Sequence, residues 1–466
     1  MSFSDDVINS KFNKVILAIQ NGQNLDFIDE YGYTPLIQAA IHNNPEMASL
    51  LLKHGAKTDH PIDISGQNAL HWAIDNDNLD LVSLLIKYKA DTNAYTQDGQ
   101  PPLFKPILRK NKSLQNVLIK AGADLNFAKD YINAKLMGHR FELKGNTDVY
   151  TTNGLFIDID MEGFYLEFSI GLIHDSLEKF INSYTANRLK LPLDDLKIII
   201  KSLDNAAQLR VFKHYNQKIE DHLSKIQKLL EMDLLLLPVS YGGHAITFIK
   251  QQDAWAKCDR GVQKSTDPIV IYKMSKSDSL TFKFYKELLY TRQTEKTIKQ
   301  DLHVDLGLEA FAKLPIHHQI TGNCSWANVE ASVPTMLFIL LYRKIKDIKN
   351  LPILVKNIAK IHEAWLEWDK DRALEESLLS FQEASYNRKK AKATLLGSVL
   401  FQACNYQKPR DIVRAKKILA ILMQKEFQYI LQAYVNVFIK GAKGQVAKNF
   451  HEVLKACGLK LTDLDI

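Results

Sequence analysis

The chain reads Gly66–Gln67–Asn68–Ala69–Leu70–His71–Trp72–Ala73, and the same cadence returns about 33 to 34 residues to either side. Upstream it is Gly32–Tyr33–Thr34–Pro35–Leu36, and downstream Gly99–Gln100–Pro101–Pro102–Leu103. A second signature keeps the same period. It runs Leu51–Leu52–Lys53–His54–Gly55–Ala56, then Leu85–Ile86–Lys87–Tyr88–Lys89–Ala90–Asp91, then Leu118–Ile119–Lys120–Ala121–Gly122–Ala123–Asp124. Two signatures in register at one period mark a solenoid, whose units bury their apolar faces only against one another.

A turn glycine followed by two antiparallel helices per unit is the ankyrin pattern. An all-α ankyrin solenoid of about four repeats is expected over residues 1–143. Lys11 to Asp29 reads as a degenerate capping repeat, and Ile132 to Arg140 as the opposite cap. Repeat three carries Phe104–Lys105–Pro106 in place of the usual His-x-Ala, which predicts a distorted first helix. His71 and Trp72 fall on repeat positions and read as structural. Residues flanking each turn glycine should project from hairpin tips: Glu30, Tyr31 and Tyr33; Ile64, Ser65 and Gln67; Gln97, Asp98 and Gln100. Exposed Tyr31, Tyr33 and Ile64 would point to a protein partner.

At 466 residues the chain exceeds one ordinary core, so two or three domains are expected. Its 46% hydrophobic and 24% charged residues describe a globular protein. The net charge of +7 is scattered among acids, so nucleic-acid binding is not indicated. The densest basic run, Asn387–Arg388–Lys389–Lys390–Ala391–Lys392, reads as a solvated helix face, with a nuclear-localisation signal as the alternative. Four well-separated cysteines form no C-x-x-C pair, which argues against zinc and disulfides and suits a reducing compartment. No cofactor or metal is expected. Met1–Ser10 is polar and unlike a secretory signal. Val329 to Tyr342 contains Glu330 and Pro334 and reads as a buried helix too short for a bilayer.

After Thr147 the pattern changes. Leu155–Asp160 and Phe164–Phe168 alternate like strands, and a helical stretch runs from about Leu172 to Glu231. Leu234–Val239, Ala245–Ile249 and Ile269–Tyr272 read as buried strands, with Gly242–Gly243 as the first turn. An α+β domain is therefore expected over 144–344. A helical C-terminal region follows over 345–466 and packs on that domain or stands apart.

One segment of the middle carries chemistry: His318–Gln319–Ile320–Thr321–Gly322–Asn323–Cys324–Ser325–Trp326–Ala327. Cys324 sits where a turn enters a helix, and helix-start amides favour a thiolate. His244 opens a strand and Asp259 ends the next one, so a hairpin can join imidazole and carboxylate. Gln319 can donate a hydrogen bond to an oxyanion. His317 and His318 are expected to line the entrance rather than bind metal.

The order His244, Asp259, Gln319, Cys324 resembles cysteine proteases of the adenovirus and SUMO-protease type, which have acyltransferase relatives. The resemblance covers about 90 residues. It implies Cys324 as nucleophile, His244 as general base and then acid, Asp259 as its orienter, and Gln319 in the oxyanion hole. Two positions depart from it: Ala245 replaces the usual aromatic residue, and Asn323–Cys324–Ser325 replaces Asp-Cys-Gly. Papain order would need a downstream strand histidine, whereas His362 and His451 lie in helical text. Three functions stand open: a thiol hydrolase acting on a peptide or protein, an acyltransferase with the same triad, and a non-enzymatic scaffold.

The whole chain also resembles the ankyrin-repeat effectors that Legionella injects into host cells. The resemblance rests on the repeats, on Leu136–Leu143 and on Asp160–Phe168. It implies type IV secretion and host-protein partners. The expected location is the host cytosol, with the nucleus as alternative.

Overall fold

A computed structural model describes residues 2–59, 66–214, 217–261, 267–320, 322–345, 348–441 and 444–460. Two compact units emerge. One comprises Met1–Lys135, Asn146–Asp160 and Phe381–Leu396. The other comprises Leu136–Gly145, Met161–Ser380 and Gly397–Ile466.

The first unit holds the repeats. Helix pairs Pro35–Ile41 with Pro45–Lys53, and Ala69–Asp75 with Leu79–Lys87, follow the periodicity. Each first helix starts on a side-chain cap: Thr34 accepts from Ile37 N, and Asn68 from His71 N. His71 Nδ1 lies 2.8 Å from Asn68 Oδ1, and burial lowers its pKa to about 4, so it is a neutral structural residue. Repeat three is distorted as its sequence predicts. Its first helix shrinks to Phe104–Leu108, and buried Lys105 pairs with Asp75 at 2.6 Å. The turn glycines take left-handed φ angles. At Gly99 (φ +73°) a Cβ would also lie 2.6 Å from Ile159 Cγ2, so only glycine fits.

Three expectations about this unit need correction. Gln100 is buried rather than projecting, because its backbone pairs with Thr96 across the turn. Tyr33 is half-buried and packs edge-on against Trp72 at 6.2 Å. The basic run 387–392 is not a solvated face. Arg388 and the buried Lys392 both pair with Asp130 at 2.6 Å, because a buried carboxylate needs cationic partners. Tyr31, Glu30, Gln97 and Asp98 are exposed, and Ile64 and Ser65 lie outside the described residues.

The first unit also contains a hairpin, β1 (Asn146–Tyr150) with β2 (Phe156–Asp160). In the second unit, β3 (Leu234–Tyr241), β4 (His244–Gln251), β5 (Ala254–Cys258), β6 (Ile269–Met274) and β7 (Leu308–Lys313) form an antiparallel meander in that order. Leu234 and Leu236 face one apolar cluster and Leu235 and Leu237 another, so the continuous leucine run reflects a sheet covered on both faces. One cover consists of helices Leu166–Ile181, Leu193–Val211 and Cys324–Tyr342. The other includes helix Phe282–Tyr290.

Phe164–Phe168 is not a strand, since Leu166 opens a helix whose Ile170, Ile173, Leu177 and Phe180 continue at helical spacing. The apolar run after Cys324 is longer than expected. Helix Cys324–Tyr342 has 19 residues, enough by length and composition to cross a membrane, yet 83% of its apolar window is buried within the protein.

Candidate active site

The turn Gly242–Gly243 has φ angles of +51° and +80° and folds β4 back on β3, pairing Tyr241 with His244. His244 thereby starts β4 with its ring edge-on to Tyr241 at 5.5 Å. Asp259 follows β5, and its backbone N–H donates to Pro268 O at 2.8 Å. His244 Nε2 and Asp259 Oδ1 lie 2.8 Å apart, and Gly261 N donates to the same oxygen at 3.3 Å. Cys324 is the first residue of its helix, and its Sγ accepts from Ala245 N at 3.3 Å. His244, Asp259 and Cys324 thus converge from two adjacent strands and one helix start.

The electrostatics follow from that geometry. The hydrogen bond to Asp259, and then the one to Cys324, raise the His244 pKa to about 9 against the effect of burial. Burial would raise the Cys324 thiol. The hydrogen bond from His244, the Ala245 N–H, the imidazolium charge and the Ser325 N–H outweigh it and lower the pKa. Burial likewise opposes Asp259, yet bonding and charge from His244 hold its pKa below the ordinary value. The other thiols go the opposite way. Burial raises Cys258 to about 11 and Cys404 to about 12, and raises Cys457 as well. Of the four thiols, Cys324 is the one whose pKa is lowered, and it lies beside the imidazole whose pKa is raised.

Gln319 is tied in through its backbone, with its N–H donating to Arg260 O at 2.8 Å, one residue after Asp259. Its Oε1 is buried without a partner, and so are both amide atoms of Asn323, which is 1% exposed. No hydrogen bond links Gln319 directly to His244, Asp259 or Cys324 among the described residues. His318 Nδ1 lies 2.6 Å from Gly261 O. A three-residue group with metal-ligand proximity occurs among the described residues at His174, Asp175 and Glu178, and includes neither His317 nor His318.

Sequence reasoning missed Asn328. One turn into the helix, its Nδ2 donates to Ala245 O at 2.6 Å and its Oδ1 accepts from Arg260 N at 2.6 Å. Thr247 Oγ1 donates to the Asn328 carbonyl at 3.0 Å. One buried amide therefore fixes the strand start that carries His244 and the strand end that carries Asp259 against the helix of Cys324. The available signal was a lone carboxamide at i+4 from the cysteine in a largely apolar helix.

The family described as ankyrin repeats (3 copies) matches residues 57–129, and the single ankyrin repeat matches residues 31–62. The solved structure of the Legionella effector AnkH superposes with a TM-score of 0.84 at 38% identity, covering 99% of this chain and 98% of that one. The chain belongs to the AnkH family. Shorter matches include a putative ankyrin repeat protein of fowlpox virus, FPV031, 36% identical over 95 residues. The phosphocholine transferase AnkX of Legionella pneumophila is 31% identical over 98 residues. These two matches span 20% of this chain each, and only 28% and 10% of those relatives.

Proposed function

We propose that this member of the AnkH family is an effector delivered into a host cell, where its ankyrin repeats hold a host protein and Cys324 acts as a hydrolytic nucleophile. The reading is supported above all by the Cys324–His244–Asp259 convergence, in which one lowered thiol faces one raised imidazole held by a half-buried carboxylate. The thiolate of Cys324 attacks a substrate carbonyl carbon and forms a C–S bond. The carbonyl oxygen becomes an oxyanion, met by the Cys324 N–H and the Gln319 carboxamide. Collapse expels the amine, which takes its proton from His244 Nδ1. His244 then deprotonates water, which attacks the thioester, releases the acid and restores the thiol.

Because the Cys324 pKa is lowered, its thiolate persists as pH falls below the ordinary thiol range. Iodoacetamide at pH 6 should alkylate Cys324 quickly while Cys258, Cys404 and Cys457 react slowly, as peptide mass mapping would show. Equal rates at Cys324 and Cys404 would remove the enzyme and leave the scaffold.

The repeats contribute an exposed aromatic group, since Tyr31 is 62% exposed beside Glu30 at a turn. Tyr31→Ala should weaken capture of host protein several-fold in a quantitative pull-down, with the melting temperature unchanged. A clear fall in melting temperature would assign Tyr31 to the fold instead.

A further inference from the structure

A cavity of about 530 Å³ opens within the second unit, outside the triad. That volume suits a small organic ligand. Its floor is apolar, with Leu314, Ile316, Ile320, Ile358 and Leu366 contributing. Its cations are mostly engaged. Arg260 donates to Glu330 at 3.1 Å, to Glu142 at 3.0 Å and to the His317 carbonyl at 2.8 Å. Arg140 reaches Asp369 at 2.6 Å, and Lys370 reaches Glu367 at 3.3 Å.

His362 differs from these groups. It lines the cavity, and its Nε2 is buried with no hydrogen-bond partner. A buried polar atom left unpaired is costly, and a bound acceptor would recover that cost. Burial, and then the nearby charges of Arg260 and Lys370, lower the His362 pKa to about 3, so the ring is neutral and sits in a positive field. Glu363 and Lys408 also line the cavity, but both are exposed and screened by water.

We propose that this cavity binds an amphipathic monocarboxylate, its apolar chain among Leu314, Ile316, Ile320, Ile358 and Leu366 and its carboxylate accepting from His362 Nε2 near Arg260 and Lys370. A bare hydrocarbon chain would leave Nε2 unpaired, and an ammonium head could not accept its N–H. The cavity wall includes Arg260, the residue after Asp259, yet binding needs no chemistry at Cys324.

Isothermal titration with decanoate tests this, with decanol as the chain lacking a charge. Decanoate should saturate at one per chain and bind at least tenfold tighter than decanol. His362→Phe keeps the ring and removes both nitrogens. It should weaken decanoate about tenfold, equivalent to about 1.4 kcal/mol, and weaken decanol clearly less. Ala359→Trp, at an exposed lining position, should abolish both without threatening the fold. Cys324→Ala should bind decanoate like the parent protein, so an inert triad would leave this result intact. The proposal falls if decanoate fails to saturate, if decanol binds as well, if His362→Phe is silent, or if Ala359→Trp binds normally.

Discussion

His244→Ala should slow alkylation of Cys324 at pH 6 by up to two orders of magnitude and abolish turnover of any substrate. Without the imidazolium the thiol returns towards about 8.5, where roughly 0.3% is thiolate at pH 6. The drop is smaller than that fraction suggests, because a more basic thiolate is intrinsically more nucleophilic. Turnover loses the proton transfer as well, about 10²–10⁴-fold. The substitution has a signature in stability too. The His244 pKa is raised from 6.5 to about 9. Its contribution to stability is therefore complete below pH 6.5 and lost as pH rises through about 9. The melting-temperature difference between parent and His244→Ala should shrink above pH 9. An alkylation rate indifferent to His244 would show that the thiol owes nothing to the imidazole.

Asn328→Ala should destabilise the protein by about 2–6 kcal/mol and misalign the triad as well. It leaves the Ala245 carbonyl and the Arg260 N–H buried and unpaired, each costing about 1–3 kcal/mol. Denaturant unfolding measures the first effect, and iodoacetamide kinetics at low denaturant measures the second. Asn328→Asp separates the halves, since its carboxylate can still accept from Arg260 N but repels the Ala245 carbonyl. Its alkylation rate should fall by less than that of Asn328→Ala. Parent-like kinetics in a folded Asn328→Ala would show that the clamp is not needed to place the thiol.

The parts legible in the sequence are those whose determinants are local or periodic. The repeats declare themselves because every unit meets the same neighbours, so Gly32, Gly66 and Gly99 recur with the helices that they punctuate. His244, Asp259 and Cys324 were legible as types of residue on types of element, while their convergence depends on strand pairing that the sequence states only indirectly. What escaped reading depends on partners far along the chain. Arg388 and Lys392 look like a surface run until Asp130 arrives from 258 residues away in the case of Arg388. Gln100 looks exposed until Thr96 closes the turn. β7, Leu308–Lys313, carries mostly exposed residues on an edge strand, so no apolar alternation announced it. Phe164–Phe168 alternates over five residues, too few to separate a strand from a helix start.

The helix that begins at Cys324 is apolar almost all round, with its residues from Ser325 to Val329 and from Ala331 to Leu340 buried. A helix so enclosed should open only together with the sheet it covers, and its amides should exchange among the slowest in the chain. The sulfur therefore borrows its orientation from the core rather than from a loop. Warming should leave that orientation untouched until the whole layer gives way, and reactivity and structure should then disappear as a single event.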